Sequence, residues 1–282
     1  MARGVSIGGS YFGVSSFSVN VNRNPLLEES FTSSAATKVY GGAYSVSGSF
    51  ETVYRVASNG PLTDIINAIN DGAVPAAKDI VLQDDAGNVM TFSSCCINSA
   101  ELNISSKDFV RISYSFVGTA AKKAGTLTNT GTAGAVGIFY STVLAMESAA
   151  VKATAATLRL EIPIDQDYFV LGSQYLQGFL QSGLATVEGT LTLGSDADVS
   201  YVTEDGDNAL IAPDASHKNT ISTKKLELKI GSSAGGTLTT ITIPVSKCTT
   251  ADVGAQGRNK FDKSVNFVGE FDGTSGNKMT IA

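Results

Sequence analysis

The segment 41-GGAYSVSGSFET-52 has a counterpart in 182-SGLATVEGTLTL-193, and this pair of strings decides the predicted fold. At a constant offset of 141 residues they share two glycines and a valine, pairing Gly42 with Gly183, Val46 with Val187 and Gly48 with Gly189. The same offset aligns 17-FSVNV-21 with 158-LRLEI-162 without a gap from about residue 14 to residue 53. Both of these shorter segments alternate apolar and polar residues, which is typical of half-buried β-strands.

The ends of the two halves also match, at an offset of 151 residues. There 115-SFVG-118 meets 266-NFVG-269. Ahead of these segments, 80-IVL-82 and 228-LKI-230 begin strands that each lead into an Ala-Gly turn. Two blocks in the same order with stable offsets predict a tandem duplication. The alternative is a chain of two generic β domains with similar patterning.

A linker is predicted at residues 119–137, which are rich in Ala, Gly, Thr and Lys. It divides the chain into domain 1 at residues 1–118 and domain 2 at residues 138–282. Within the mostly strand-like halves, 61-PLTDIINAINDG-72 has its Leu and Ile residues at helical spacing, with Pro61 suited to a first helical turn and Gly72 to a C-terminal cap. The predicted fold is therefore mainly β, with two tandem β-barrel or β-sandwich domains and at most one short flanking helix in each.

Composition and charge exclude several classes of protein. The 282 residues include 20 basic and 26 acidic side chains, giving a net charge of −6, and hydrophobic residues make up 43%. These values exclude collagen-like, coiled-coil and disulfide-scaffold chains and disfavour a protein that grips nucleic-acid phosphates. The three cysteines, Cys95, Cys96 and Cys248, are expected to pack in the core of a protein that folds under reducing conditions.

We expect neither a signal peptide nor a membrane span. The N-terminus has no apolar core of signal-peptide length. The uncharged stretch 124–146 has an apolar part of about 14 residues, whereas a transmembrane helix needs about 20.

The motifs of common enzymes are absent. There is no phosphate-binding loop, no dinucleotide fingerprint and no Cys-x-x-Cys pair. The single histidine, His217, lies in 213-PDASH-217 and is interpreted as part of a solvated turn rather than of a catalytic triad. We therefore expect no catalytic residue, no cofactor and no enzymatic activity.

The acidic segment around residues 194–217, which replaces a clear helix in the second half, offers weak calcium candidates. Its carboxylates could supply oxygen ligands, and they belong to Asp196, Asp198, Glu204, Asp205 and Asp207. The twelve-residue calcium loop with its final Glu is missing, so an exposed acidic loop is the preferred interpretation and no metal site is expected.

Each half resembles the tail tube proteins of tailed phages and the related inner tubes of contractile injection systems. The resemblance is carried by residues 14–52 and 156–193, which give a first strand, a polar stretch and a Gly-flanked strand. A helix candidate and a final pair of strands, 79-DIVLQD-84 to 110-VRISYSFVG-118 and 226-LELKIG-231 to 264-SVNFVGEF-271, complete the order. In all, it covers roughly 250 residues of the chain.

The resemblance implies a structural protein whose barrel domains join sheet to sheet into rings. The rings stack into a hollow tube through which genomic DNA passes during ejection into the host. A fused pair of domains would build the same circumference from three chains, so a trimeric, pseudo-sixfold ring is favoured over a hexamer.

The implied location is the virion tail, after assembly in the host cytoplasm. The implied partners are further copies of the chain, the tail terminator, baseplate or tail-tip proteins, the tape measure protein, DNA bound without sequence specificity, and in some tails a sheath protein. By the same analogy, loops 28–38 and 167–181 would mediate contacts between stacked rings.

Two other classes of function stay open. One is a surface adhesin or pilus-like fibre, which is also β-rich and uncatalytic but would need a signal peptide. The other is a carbohydrate-binding β module, which usually presents exposed aromatic platforms, whereas this chain has no Trp.

Overall fold

The structure, a computed structural model, describes residues 4–24, 26–28, 38–55, 59–84, 86–122, 127, 135–194, 223–256, 260–271 and 278–282. Within these residues the protein is mainly β with one helix. In chain order the elements are β1 (Gly4–Ile7), β2 (Ser10–Arg23), β3 (Leu26–Glu28), β4 (Lys38–Tyr40), β5 (Tyr44–Val53), α1 (Asn59–Asp71), β6 (Lys78–Gln83), β7 (Val89–Ser105), β8 (Arg111–Lys122), β9 (Gly137–Met146), β10 (Ala149–Val151), β11 (Ala153–Glu161), β12 (Thr186–Leu193), β13 (Thr223–Ser232), β14 (Thr237–Gln256), β15 (Lys260–Gly269) and β16 (Thr280–Ile281).

Six strands of the first half close into a β-barrel. Around the barrel the order is β1, β2, β5, β8, β7, β6 and back to β1, and every neighbouring pair is antiparallel. Closure places alternate side chains inside. The interior is filled by buried apolar residues, including Val5, Phe12, Val46, Phe50, Ile80, Phe92, Ile112, Tyr114 and Phe116. The barrel predicted from the alternation of apolar and polar residues is thus confirmed for this half.

The other strands continue the sheet from β7. The second half of β7, Ser99–Ser105, pairs antiparallel with residues 155–161 of β11. From β11 the order runs through β12, β15, β14, β13 and β9, while β10 pairs with β9 and β16 with β14. At 17 residues, β7 is long enough to serve both as a barrel strand and as the junction between the two halves of the chain.

Helix α1 forms where the sequence predicts it. Leu62, Ile65 and Ile66 are almost fully buried, so one face of the helix packs into the hydrophobic core. Pro61 lies in the first turn, where its missing N–H costs nothing. Gly72 follows the last turn with φ of 61°, and the N–H of Ala73 donates to the carbonyl of Ala68 at 2.9 Å. These two features form a Schellman cap, which confirms the predicted end of the helix.

The C-terminal residues are tied to this helix. The side-chain amide of Asn70 donates to the Met279 carbonyl at 2.8 Å, and the Met279 N–H donates back to the Asn70 side-chain oxygen at 2.9 Å. Lys278 and Asp71 add an ion pair at 3.1 Å. Because these contacts join residues more than 200 positions apart in sequence, they help to fix the second half of the chain against the first.

Two glycines accept an aromatic ring from the neighbouring strand. Gly48 lies opposite Phe116, and Gly189 lies opposite Phe267. A Cβ atom at Gly48 would come within 2.6 Å of the Phe116 ring, and one at Gly189 within 2.5 Å of the Phe267 ring. Each ring therefore occupies the space that a side chain would take, which explains why both predicted strands carry a glycine in their interior.

Replacing Gly189 by Ala is expected to lower the free energy of unfolding by about 1–3 kcal/mol, because the new methyl group would clash with the Phe267 ring and the Thr157 carbonyl oxygen. Urea unfolding of the unassembled protein measures this loss. Gly13→Ala is the matched control, since a Cβ there meets no atom within 4 Å. Equal losses in both variants would contradict the assigned role of the ring.

Two details differ from the sequence prediction. First, β8 continues to Lys122 because residues 118–122 pair with β7, so the strand enters the segment predicted as linker, and Gly137 already belongs to β9. Second, Gly48 pairs with Val19 whereas Gly189 pairs with Leu158. The offset between β2 and β11 is therefore 139 residues, and the ungapped alignment at 141 was wrong by two over this strand.

Candidate functional site

A continuous run of eight antiparallel strands offers the largest organised surface of the described residues. Its order is β2, β5, β8, β7, β11, β12, β15 and β14. One face of the run packs on the hydrophobic core. The opposite face, here called the polar sheet face, consists mainly of Ser16, Ser18, Asn20, Asn22, Ser45, Ser47, Ser49, Glu51, Ser99, Glu101, Asn103, Ser105, Arg111, Ser113, Ser115, Thr157, Arg159, Glu161, Thr186, Glu188, Thr190, Thr192, Thr250, Asp252, Ser264 and Asn266.

Strand pleating separates these residues from the core. Successive side chains of a strand point to opposite faces, so the residues between them point into the core. On β5, for example, Val46 and Phe50 are buried while Ser47 and Ser49 are not. None of the residues of the polar sheet face is buried.

Short hydroxyl and amide side chains hold one another in place on this face. The Thr190 hydroxyl donates to the Asn266 side-chain oxygen at 2.8 Å, and the Asn266 amide donates to the Thr250 hydroxyl at 2.7 Å. This chain of hydrogen bonds crosses β12, β15 and β14. Because the groups are neutral and already paired, the surface offers few donors to a passing anion.

The charges on the polar sheet face are mostly acidic. Its carboxylates belong to Glu51, Glu101, Glu161, Glu188 and Asp252, and its two guanidinium groups to Arg111 and Arg159.

Both guanidinium groups are engaged by carboxylates. Arg111 contacts Glu51 at 3.1 Å and Asp108 at 3.4 Å, and Arg159 contacts Glu161 at 2.7 Å. Hydrogen bonds from Asp108 and then Glu51 raise the pKa of Arg111. Glu101 and Glu188 form no ion pair with any residue that the structure describes, so they leave the face with a net negative charge.

Two shallow depressions lie on this face at matching strand positions. One, of about 450 Å³, is lined by residues that include Thr157, Arg159 and Glu188. The other, of about 320 Å³, is lined by residues that include Ser18, Asn20 and Ser47. Both are wide open and polar, unlike the mostly apolar, enclosed sites that take small molecules.

The cysteines are poor nucleophiles. Cys95, Cys96 and Cys248 are free and buried, as the sequence predicts. Burial raises the pKa of both Cys95 and Cys96 to about 12 and that of Cys248 to about 11. At neutral pH their reactive thiolate forms are therefore scarce.

The predicted calcium candidates remain a prediction. Asp196, Asp198, Glu204, Asp205 and Asp207 lie outside the described residues, as does His217. Within the part of the chain that is described, no group of three or more His, Cys, Asp or Glu side chains is placed to hold a metal ion. The helix described, α1, is too short and too polar to cross a membrane.

Sequence reasoning missed the polar sheet face. Its signal was present in strings such as FSVNVN and YSVSGSFET, where Ser and Asn occupy every second position. What the strings do not contain is the pairing of β7 with β11, which joins the polar residues of both halves into one surface.

Comparison with known proteins gives a family. A family model described as phage tail tube protein matches residues 72–269, and a search of curated proteins finds no match. The family is structural and non-enzymatic, its members polymerise with themselves, and it belongs to the virion tail. The matched segment spans well over half of the chain and includes most of the eight-stranded run. This chain belongs to the phage tail tube protein family.

Proposed function

We propose that the protein is the major tail tube subunit, which polymerises into stacked rings around a hollow conduit for genomic DNA, and that the polar sheet face lines this conduit. The continuity of the eight-stranded run carries the proposal, because one polar surface spans both halves of the chain. Lining the conduit with that face leaves the apolar side of the sheet in the core.

The chemistry of this face suits transport without binding. Proteins hold DNA by neutralising phosphates with Lys and Arg, and each such contact adds affinity. The polar sheet face has only two basic side chains, each engaged by a carboxylate, and unpaired Glu101 and Glu188 repel phosphates. DNA would slide past such a surface at low cost.

We propose further that the chain contains two tandem barrel domains, at residues 1–118 and 138–282. The strands β9, β10 with β11, β12, β15, β14 and β13 follow one another in a closed circuit, as the barrel strands of the first half do. Gly48 with Phe116 and Gly189 with Phe267 occupy equivalent places in the two circuits.

Register irregularities support the duplication. In the first half they occur between Val14 and Ser16, Lys78 and Ile80, and Ile97 and Ser99. In the second they occur at the equivalent places, between Ala153 and Ala155, Lys224 and Leu226, and Cys248 and Thr250. Bulges tend to persist within families because they set strand direction, so three matched irregularities favour common descent over similar patterning.

A ring of three chains follows from this duplication. Two domains per chain give six domains per ring with pseudo-sixfold symmetry. A hexamer of chains would have twelve domains and a wider lumen.

Contacts between stacked rings are proposed for the loop that joins β11 to β12. The predicted loop 28–38 lies mostly outside the described residues, but residues 167–181 are described. Leu171 is fully exposed and Leu180 is 48% exposed, which is unusual for side chains of this size on a solitary surface. The Tyr44 N–H donates to the Gln174 carbonyl at 2.7 Å, so domain 1 holds this loop in place.

The remaining proposed partners follow from the position of a tube in the virion tail. They are the tail terminator, baseplate or tail-tip proteins, the tape measure protein and, in contractile tails, a sheath. Assembly is proposed to take place in the host cytoplasm.

Negative-stain electron microscopy of the purified protein tests the proposed function. We expect rings or hollow tubes with threefold or sixfold end views, and mass photometry of the rings should give three chains. Six chains per ring would overturn the trimer. Monodisperse monomers at high concentration would contradict the tube subunit and direct the next test to glycan binding.

A further inference from the structure

We propose that neighbouring copies in the ring join by antiparallel pairing of Thr250–Gln256 in β14 of one copy with Ser16–Asn22 in β2 of the next. This inference rests on the proposed function and specifies its interface to the residue.

Both segments have an edge that no described residue covers. Ser16–Asn22 pairs with β5 on one side, whereas β1 reaches only Ser10–Gly13 on the other. Thr250–Gln256 pairs with β15 on one side, whereas β13 reaches only as far as Lys247. The two segments are the first and last strands of the eight-stranded run, so they lie at its opposite ends.

The β7–β11 junction inside the chain provides the template. Residues 99–105 of β7 pair with both β8 and β11, and residues 155–161 of β11 pair with both β12 and β7. By the matched irregularities, β14 is the equivalent of β7 and β2 is the equivalent of β11. The bond that β7 makes to β11 within the chain is therefore the one that β14 lacks and that β2 of a second copy can supply.

The offsets of 151 and 139 residues transfer the register. Within the chain, Ser99 lies opposite Glu161, Glu101 opposite Arg159 and Asn103 opposite Thr157. Between copies, the register places Thr250 opposite Asn22, Asp252 opposite Asn20, Gly254 opposite Ser18 and Gln256 opposite Ser16.

Burial on the other face of these strands points to the same partner. At the internal junction, Leu158 and Leu160 of β11 are 4% and 1% exposed. Their equivalents on β2 are Val19, which is only partly buried, and Val21, which is 42% exposed. Pairing with β14 of another copy would cover these valines, as β7 covers the leucines.

The edge of β2 also lacks the usual protection against pairing. Edge strands of monomers commonly carry Lys, Pro or an inward-pointing charge. Ser16–Asn22 contains none of these, and its polar residues meet a single charge, Asp252, across the proposed seam. No like charges face each other there.

The seam can be trapped by a disulfide because its geometry is known from the template. The Ile162 N–H donates to the Asn98 carbonyl at 2.8 Å, so 98 and 162 form a hydrogen-bonded pair and the next pairs, 99 with 161 and 101 with 159, alternate as non-hydrogen-bonded and closest pairs. Asn20 and Asp252 are equivalent to Arg159 and Glu101. Their Cα atoms would lie about 4.5 Å apart, within the range for a disulfide.

We therefore expect the double variant Asn20→Cys, Asp252→Cys to form covalent multimers that end at the trimer when assembled protein is mildly oxidised and run on a non-reducing denaturing gel. Mixing the two single variants should give covalent dimers only. The template control, Glu101→Cys with Arg159→Cys, should close a disulfide within one chain and remain a monomer. The buried native cysteines give the background in the unmodified protein.

A displaced pair tests the register. Asn22→Cys with Asp252→Cys is shifted by two residues, which places the Cβ atoms about 7–8 Å apart, and we expect at least tenfold less cross-linking. Rings in the microscope without cross-linking of the Asn20 and Asp252 pair, or with equal cross-linking of the displaced pair, would overturn this interface and leave the proposed function standing. Absence of any ring or tube from unmodified protein would overturn both.

Discussion

Tubes assembled from the double variant Glu101→Lys, Glu188→Lys are expected to bind a short DNA duplex at least 100-fold more tightly at low salt than unmodified tubes. The two substitutions change the polar sheet face from five acidic and two basic residues to three acidic and four basic residues. Neither glutamate has an ion-pair partner among the described residues, so no basic side chain loses its partner. A ring of three chains gains six lysines facing the lumen, enough for roughly six phosphate contacts.

The gain in affinity should depend steeply on salt, because the released counterions determine it. Six contacts predict a slope of log K against log salt of roughly −5. Fluorescence anisotropy with a labelled duplex measures the affinity, and protection of the duplex from nuclease locates it inside the tube.

The control for charge is the double variant Asp71→Lys, Glu147→Lys, which makes the same charge change away from the polar sheet face. Asp71 ends α1, and Glu147 lies in the turn between β9 and β10, where it accepts one hydrogen bond from the Lys225 N–H. If this control binds and protects DNA as well as the Glu101, Glu188 variant does, the polar sheet face does not line the conduit.

Replacing Phe116 or Phe267 by Ala is expected to destabilise only the barrel that contains it, by about 3–5 kcal/mol. Phe116 is 1% exposed and Phe267 is 3% exposed, and each ring fills the space beside a glycine. Hydrogen exchange should quicken about 10²–10³-fold in β5 and β8 for Phe116→Ala, and in β12 and β15 for Phe267→Ala.

The control is Phe109→Ala, because Phe109 is 46% exposed and its loss should change exchange little. The tandem domains predict that each substitution leaves the other barrel largely protected. If Phe116→Ala exposes β12 and β15 as much as β5 and β8, the chain is one cooperative unit and the two-domain proposal fails.

The elements that local sequence determines were predicted well. Pro61, the apolar spacing after it and Gly72 define α1 through contacts within one helical turn, so they can be read from a single segment. The alternation in β2 and β11 likewise predicts which residues face the core.

Register and strand partnership were not predictable in the same way. A shift of two residues leaves period-two alternation unchanged, so Leu158 and Leu160 fit the position of Val19 equally well in sequence. The irregularity between Val14 and Ser16 decides between them, and it arises from hydrogen bonding to β5. The junction of β7 with β11 is also non-local, so the polar sheet face could not be assembled from sequence alone.

The use of the same strand order in both halves of the chain has a consequence for its synthesis. While unfolded, β12 fits β2 in place of β11, since both offer an apolar residue to the strand that carries the glycine; mispairing between repeats is a characteristic failure of repeated domains. The ribosome reduces this risk through timing. At about 5–20 residues per second, β12 emerges roughly 4–14 s after the first barrel is complete at Lys122. Small β domains fold within milliseconds to seconds, so β2 is already paired when its competitor appears. Refolding from denaturant removes this delay, and a lower yield of native protein is its expected signature.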